Sequence, residues 1–272
     1  MFGPGLIGGS LGLALMKREP DCALRLWARP ASAEKTRRAF PSAVVSSEAA
    51  EIARDAEVLV FCCPVEAMEA LARQVVGSIS GKTMVTDAGS VKASVVGTME
   101  PLFGGRFVGA HPMAGSEQSG LDFANADLFE GATCVLTPTA LTETSAFHGI
   151  SDFWTSVGCK NLVVPADEHD RLVARSSHLP HAVASILAKS VQDSLPAALA
   201  VTGSGFRDTT RVAAGPPGMW AEIFLENRRQ VLASIREFHA EMEVFSRLLE
   251  TEDRPGLEKF LLQARDVRKD LE

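Results

Sequence analysis

The sequence predicts an α/β domain followed by an all-helical domain, and three observations carry that expectation. Residues 1–166 alternate short β-branched or apolar runs with amphipathic stretches. A glycine-rich turn opens the chain and runs straight into an apolar helical pattern. From residue 167 to 272 the strand signals stop and long helical patterns take over. At roughly 150 residues per domain, 272 residues suit two domains.

In the first domain, Ala23–Ala28, Val58–Cys62, Thr83–Thr86, Phe107–Ala110 and Thr133–Leu136 read as strands. Between them, Leu11–Lys17, Ala33–Phe40, Ala67–Val76 and Glu143–Val157 carry apolar residues at helical spacing. That alternation implies a mostly parallel sheet wrapped by helices. In the second domain, Asp167–Val191, Met219–Glu250 and Gly256–Leu271 read as helices. Gly203–Gly218, with four Gly and two Pro, reads as a loop between them.

Hydrophobic residues at 46% and charged residues at 22% exclude a disordered, collagenous or fibrous chain. Lys and Arg number 27 against 34 Asp and Glu, a net charge of −7, so no basic field is available to hold nucleic acid. Five cysteines without CxxC spacing or neighbouring histidines fit neither a disulfide framework nor a zinc site, and point to a reducing cytoplasm. The start lacks a signal-peptide pattern and no apolar run reaches about 18 residues, so no membrane partner is expected.

Gly3, Gly5 and Gly8, with Leu6 and Ile7 between the last two, form GxGxxG. In a dinucleotide-binding fold these glycines permit a tight turn, close approach of the pyrophosphate and close helix–strand packing, with the helix N-terminus facing the phosphates. Only Met1 and Phe2 precede Gly3, so the strand that delivers the loop is nearly absent. At the tip of the next strand, where folds that prefer NAD carry an acid, Leu26–Ser32 holds no carboxylate. Arg29 offers a fork of donors suited to a 2′-phosphate, and Ser32 a hydroxyl donor. Arg29 reads equally as a solvated loop cation. NADP is the expected cofactor, with NAD open, and Pro64 and Asp87, each closing a predicted strand, complete the cofactor-binding set.

Two further motifs follow predicted strands: Asp87-Ala88-Gly89-Ser90-Val91-Lys92, and Gly109 to Gly120, which reads GAHPMAGSEQSG. Both belong at the carboxyl edge of the sheet, where ligands of such folds bind. His111 beside Ser90 suits removal of a hydroxyl proton while hydride leaves the same carbon.

With these segments, and with Ser177–His181 (SHLPH) and Phe206–Asn227, the sequence closely resembles the prephenate/arogenate dehydrogenase family. The motifs fall in the family's order along nearly the whole chain. The resemblance implies a Rossmann-like domain, a helical domain that makes a homodimer, and an active site in the cleft between them. It makes His111 the proton acceptor for the ring C4 hydroxyl, with Ser90 orienting it near the nicotinamide. Arg211 resembles the arginine that clamps the ring carboxylate. His181 and His178 lie near the substrate side chain, and Glu117, with Ser116, stands at the mouth. Asp170, eleven residues before His181, can share its helical face, although Pro180 kinks the helix between them.

Plainer readings stand beside these. Arg211 serves as a structural ion-pair former, Glu117 as a loop acid, Asp170 as a helix-surface charge and Trp220 as packing. Spacing of i, i+3 without a third ligand argues against metal at His178 and His181. The reaction implied is oxidative decarboxylation of prephenate or arogenate in tyrosine biosynthesis, with prephenate expected because arogenate users of the family often lack the second histidine. A protonated His181 would also repel the arogenate ammonium. One rival is a β-hydroxyacid dehydrogenase, whose catalytic lysine has no counterpart in Asp167–Val191, where Lys189 is the only lysine. Another is a non-catalytic NADP-binding regulatory protein.

Overall fold

The computed structural model describes residues 1–115, 118–194 and 196–270. In chain order the first domain carries α1 (Leu6–Arg18), β1 (Arg25–Trp27), α2 (Pro30–Ala39), β2 (Val44–Ser46), α3 (Ala49–Ala53), β3 (Val58–Phe61), α4 (Val65–Val75), β4 (Met84–Asp87), α5 (Ala93–Phe103), β5 (Phe107–Pro112), β6 (Thr133–Thr137), α6 (Thr144–Ser156) and β7 (Lys160–Val163). Strands β3 to β7 form one sheet in chain order, and β1 pairs with β2. Every ladder is parallel except β5–β6, in which His111 faces Val135.

The missing first strand is supplied by a single residue. Phe2 bridges Trp27 on one side and Phe61 on the other, both in parallel register. Its N–H donates to Val60 O at 2.8 Å, and Cys62 N–H donates to its carbonyl at 2.7 Å. The Phe2 ring is buried and stacked on Phe61 at 5.0 Å. The stub thereby joins β1 to β3 and delivers the glycine turn to the edge of the sheet.

Alternate residues of the strands serve two cores. Leu59, Phe61, Val85 and Phe107 pack with Met68, Val95, Met99 and Phe103 on one face, while Val60, Val108 and Leu136 pack with Leu11, Phe40, Ile150 and Trp154 on the other. A sheet buried on both faces is the reason its strands read as continuous apolar runs. Strands β2 and β7 and helices α3 and α5 lie outside the sequence expectation. Strands β2 and β7 sit at the sheet edges, with exposed Val44, Leu162 and Val163, and lack that apolar continuity.

The helical part begins with α7 (Ala166–Val173), which passes through a π turn (Ala174–His178) into α8 (Leu179–Ser194). Pro180 has no N–H to offer the preceding turn, and the wider turn falls directly before it. Contrary to expectation, most of the Gly203–Gly218 stretch is helical: α9 (Ser204–Thr210) leads into a 3₁₀ turn (Arg211–Ala214). The stretch expected to be one helix over Met219–Glu250 is two, α10 (Pro217–Glu226) and α11 (Arg228–Glu250), followed by α12 (Arg254–Lys269). Asn227 makes the break. Its buried amide donates to the Asp170 carbonyl at 2.8 Å and lies 3.2 Å from His178 Nδ1. Among the described residues no helix is long and apolar enough to cross a membrane.

Candidate active site between the sheet edge and the helical domain

The glycine turn fits a dinucleotide pyrophosphate. Gly3 has φ +90°, and a Cβ there would meet Cys62 O at 2.8 Å; a Cβ on Gly8 would meet Gly3 O at 2.2 Å. Gly5, by contrast, faces open space and caps α1 without any side-chain bond, so the first N–H groups of α1, from Leu6 onward, point at an uncovered approach. Pro64 caps α4 at the end of the Cys62-Cys63 segment that packs against Gly3.

At the tip of β1, Arg29 is the N-cap residue of α2 and is exposed, with no ion pair among the described residues. Ser32 donates its hydroxyl to the Arg29 carbonyl at 3.1 Å, so in this arrangement its O–H steadies the turn and is not free for a phosphate.

Asp87 is bound into the fold itself. Its carboxylate is fully buried and accepts from Gly89 N at 2.8 Å, from Ala110 N at 3.0 Å and from the equally buried Lys92 ammonium. The Asp and Lys of the DAGSVK segment thus close on each other. Together they tie β4 to β5 and shape the loop carrying the half-buried Ser90. Lys92 is a site-building residue that the sequence reading missed, although its i+5 spacing from Asp87 was visible.

His111 ends β5 with 9% of its surface exposed. Its Nδ1 lies 2.8 Å from His169 Nε2, and His169 Nδ1 lies 2.8 Å from Asp170 Oδ1. The contact that fixes His111 comes from His169; among the described residues Ser90 makes no hydrogen bond to it. Burial first, then the neighbouring His169, Lys92 and His178, hold His111 well below the usual histidine range, so it is neutral at neutral pH. His169 was not singled out from the sequence. Its only signal was adjacency to Asp170.

Asp170 was expected on the face of His181, toward substrate. The π turn shifts the helical phase, and the carboxylate instead accepts from Lys92 N at 2.7 Å and Ala93 N at 2.9 Å as well as from His169. It caps α5 from the other domain. Burial pushes its carboxyl up, but the bonds from His169, Ala93 and Lys92 outweigh that and leave it below the ordinary carboxylate range.

His181 and His178 both meet Trp220. The His181 ring stacks on the indole at 3.6 Å and 14°, and His178 approaches edge-on at 6.2 Å. Gly215 closes this cluster, since a Cβ there would lie 2.6 Å from Trp220 Nε1 and 3.4 Å from His181 Cε1. The turn that begins with the exposed Arg211 therefore packs beside His181. Burial lowers the His178 pKa to about 4, against the opposing pull of Asp170, and burial lowers His181 as well. A neutral His181 cannot repel an ammonium by charge, which removes that part of the expectation. Its Nδ1 is buried without a hydrogen-bond partner among the described residues. Ser116 and Glu117 lie outside the described residues. On the interdomain seam, Glu222 of α10 accepts the Glu66 N–H of α4 at 2.7 Å, a domain contact the sequence did not announce.

A dinucleotide cradle, and a neutral buried histidine at the same carboxyl sheet edge facing a helical domain, together define a nicotinamide-dependent dehydrogenase. Family models match on both sides of the seam: the nucleotide-binding domain of prephenate dehydrogenase over residues 11–163, and its dimerization domain over 165–263. The chain belongs to the prephenate dehydrogenase family. It is 32% identical to the prephenate dehydrogenase of Bacillus subtilis, covering all of this chain and 75% of that one, and 31% identical to the cyclohexadienyl dehydrogenase of Zymomonas mobilis, covering 93% and 88%. Among solved structures, the Aquifex aeolicus prephenate dehydrogenase, in complex with hydroxyphenyl propionate and NAD+, superposes with a TM-score of 0.93 at 29% identity over 100% and 96% of the two chains. The arogenate dehydrogenase of Synechocystis gives 0.85 at 28% identity over 100% and 98%. The β-hydroxyacid dehydrogenase reading is not favoured: a Mycobacterium tuberculosis 3-hydroxyisobutyrate dehydrogenase, at 13% identity and a TM-score of 0.53, covering 80% and 71%, shares the fold alone. The family's reaction is oxidative decarboxylation with hydride transfer to NAD(P), a step of tyrosine biosynthesis.

Proposed function

We propose that this chain acts on prephenate in preference to arogenate, with NADP as the preferred cofactor, and works as a homodimer in the cytoplasm. The observation that carries the mechanism is His111: buried at the carboxyl end of β5, neutral, and held through Nδ1 so that Nε2 is left to accept a proton. When bound, the nicotinamide accepts the hydride from ring C4. His111 Nε2 takes the C4 hydroxyl proton and gives it back to the C4 oxygen as the ring becomes a phenol. Arg211 holds the ring carboxylate, which leaves as carbon dioxide as the ring aromatises. Gly3, Gly5 and Gly8 with Leu6 and Ile7 seat the pyrophosphate, and Ser90 lies beside the nicotinamide. On this reading residues 1–166 bind the cofactor, and 167–272 supply the substrate pocket and the dimer contact.

Support for prephenate lies in His181, whose unpartnered buried nitrogen suits a pyruvyl carbonyl or carboxylate. The names of the Bacillus and Lactococcus lactis relatives point the same way. Support for NADP lies in the exposed Arg29 and the absence of an acid at the β1 tip. A homodimer suits the exposed Phe238, Met242, Leu249, Leu261, Leu262 and Val267 on α11 and α12, an apolar surface of the kind monomers rarely show. The five free thiols fit a reducing compartment. The test is kcat/KM for prephenate and arogenate, each with NADP and NAD. Prephenate with NADP should rank first, and a preference of about tenfold for arogenate, worth about 1.4 kcal/mol, would refute the pocket reading.

A further inference from the structure

Three buried groups form a line across the domain seam, and their hydrogens can be assigned from one end. Asp170 is a carboxylate that already accepts two backbone N–H groups, from Lys92 and Ala93. It can only accept, so His169 must donate to it through Nδ1. A neutral imidazole that donates through Nδ1 accepts through Nε2. That lone pair lies 2.8 Å from His111 Nδ1, which must therefore carry the hydrogen. His111 is left with its bare nitrogen at Nε2, the side that reaches substrate.

We propose that His169 is a positioning residue that sets the tautomer of His111, with Asp170 as its anchor. This rests on His111 being the base. In the step itself the substrate O–H bond breaks, its proton moves to His111 Nε2, and the hydride from C4 goes to the nicotinamide. His111 then holds both hydrogens beside the His169–Asp170 pair until the C1–CO2 bond breaks; its electron pair aromatises the ring and leaves the C4 oxygen as a phenoxide, which takes the proton back from Nε2. The other groups facing His111 do not compete for Nδ1: the Lys92 ammonium is paired with Asp87, and the Nδ1 of His178 is turned to Asn227. Because His169 and Asp170 stand on α7 and His111 on β5, the base acquires its working form only when the two domains are apposed.

The test compares His169→Phe, which removes the acceptor, with His169→Gln, whose side-chain oxygen can occupy the Nε2 position, on the full-length enzyme with prephenate. His169→Phe should lower kcat by about 10²-fold with KM changed less than about threefold, while His169→Gln should stay within about tenfold of wild type. Long-range ¹H–¹⁵N spectra of the histidine rings, with His111 assigned from the peaks lost in His111→Asn, should show protonation at Nδ1 in the wild type and at Nε2 in His169→Phe. Wild-type His111 protonated at Nε2, an undiminished kcat in His169→Phe, or equal losses in the Phe and Gln variants would each overturn the proposal. Should His169→Phe fail to fold, the wild-type spectrum alone decides. Full activity in His111→Asn would show instead that the base assignment had failed.

Discussion

Lys92 and Asp87 are both fully buried and bonded to each other, so removing one leaves the other as an uncompensated charge in the core of the site. In Asp87→Asn the Lys92 ammonium loses its counter-ion, and the new amide must present a donor toward Gly89 N–H or Ala110 N–H, both of which are donors already. Breaking a buried pair in this way costs about 3–5 kcal/mol, and Asp87→Asn belongs at the upper end. Lys92→Met keeps the apolar stem and leaves the carboxylate with its two backbone bonds, so it belongs at the lower end. At about 2–4 °C per kcal/mol for a chain of this size, the single variants should melt about 6–20 °C below wild type. The double variant removes both charges together and should be less destabilised than the sum of the singles by at least about 2 kcal/mol. Urea unfolding of all four proteins, followed by far-UV circular dichroism, measures that coupling. Additive losses would mean that the two groups do not stabilise each other and that this reading of the β4–β5 junction is wrong.

His111→Asn should lower kcat by about 10²–10⁴-fold with little change in KM, and near-normal turnover would remove the base assignment. Arg29→Ala should reduce kcat/KM with NADP by about 10–100-fold and leave NAD little changed; equal losses with both would show that Arg29 does not read a 2′-phosphate. His178 is neutral in both folded and unfolded chains above pH 6.5. Below that, the unfolded chain binds the proton more readily, so stability falls as pH drops from about 6.5 to about 4, by about 3 kcal/mol at the lower limit. Melting temperatures across that range should show the loss, and His178→Asn should make it shallower while His111 and His181, also lowered by burial, keep part of it; an unchanged slope would place the acid sensitivity elsewhere.

Much of this protein was legible before any coordinates. The period of the apolar residues marks five of the seven strands because those strands are buried on both faces, and burial is what writes an apolar run into a sequence. The glycine turn is legible for a related reason: a Cβ at Gly3 or Gly8 would strike backbone, so residue type records geometry directly. His111, at the end of such a strand, could be placed at the sheet's ligand-binding edge from chain order alone.

Other features depend on which elements pack together, and no local pattern encodes that. Phe2 works as a strand because β1 and β3 stand on either side of it. The helix expected over Met219–Glu250 breaks at Asn227 because that amide is committed to Asp170 and His178, residues far away in sequence. Asp170 could be placed on the face of His181 by spacing, with a kink expected at Pro180; the π turn before Pro180 changes the phase, and the carboxylate lies at the start of α5. His169 stands 58 residues from the His111 ring it touches. Periodicity reports which side of an element is buried, so the sequence by itself determined the layers, the glycine turn and the place of His111 at the end of a buried strand. Which groups meet across the seam between two domains, and hence that His169 is the ring against His111, was decided only by the tertiary structure.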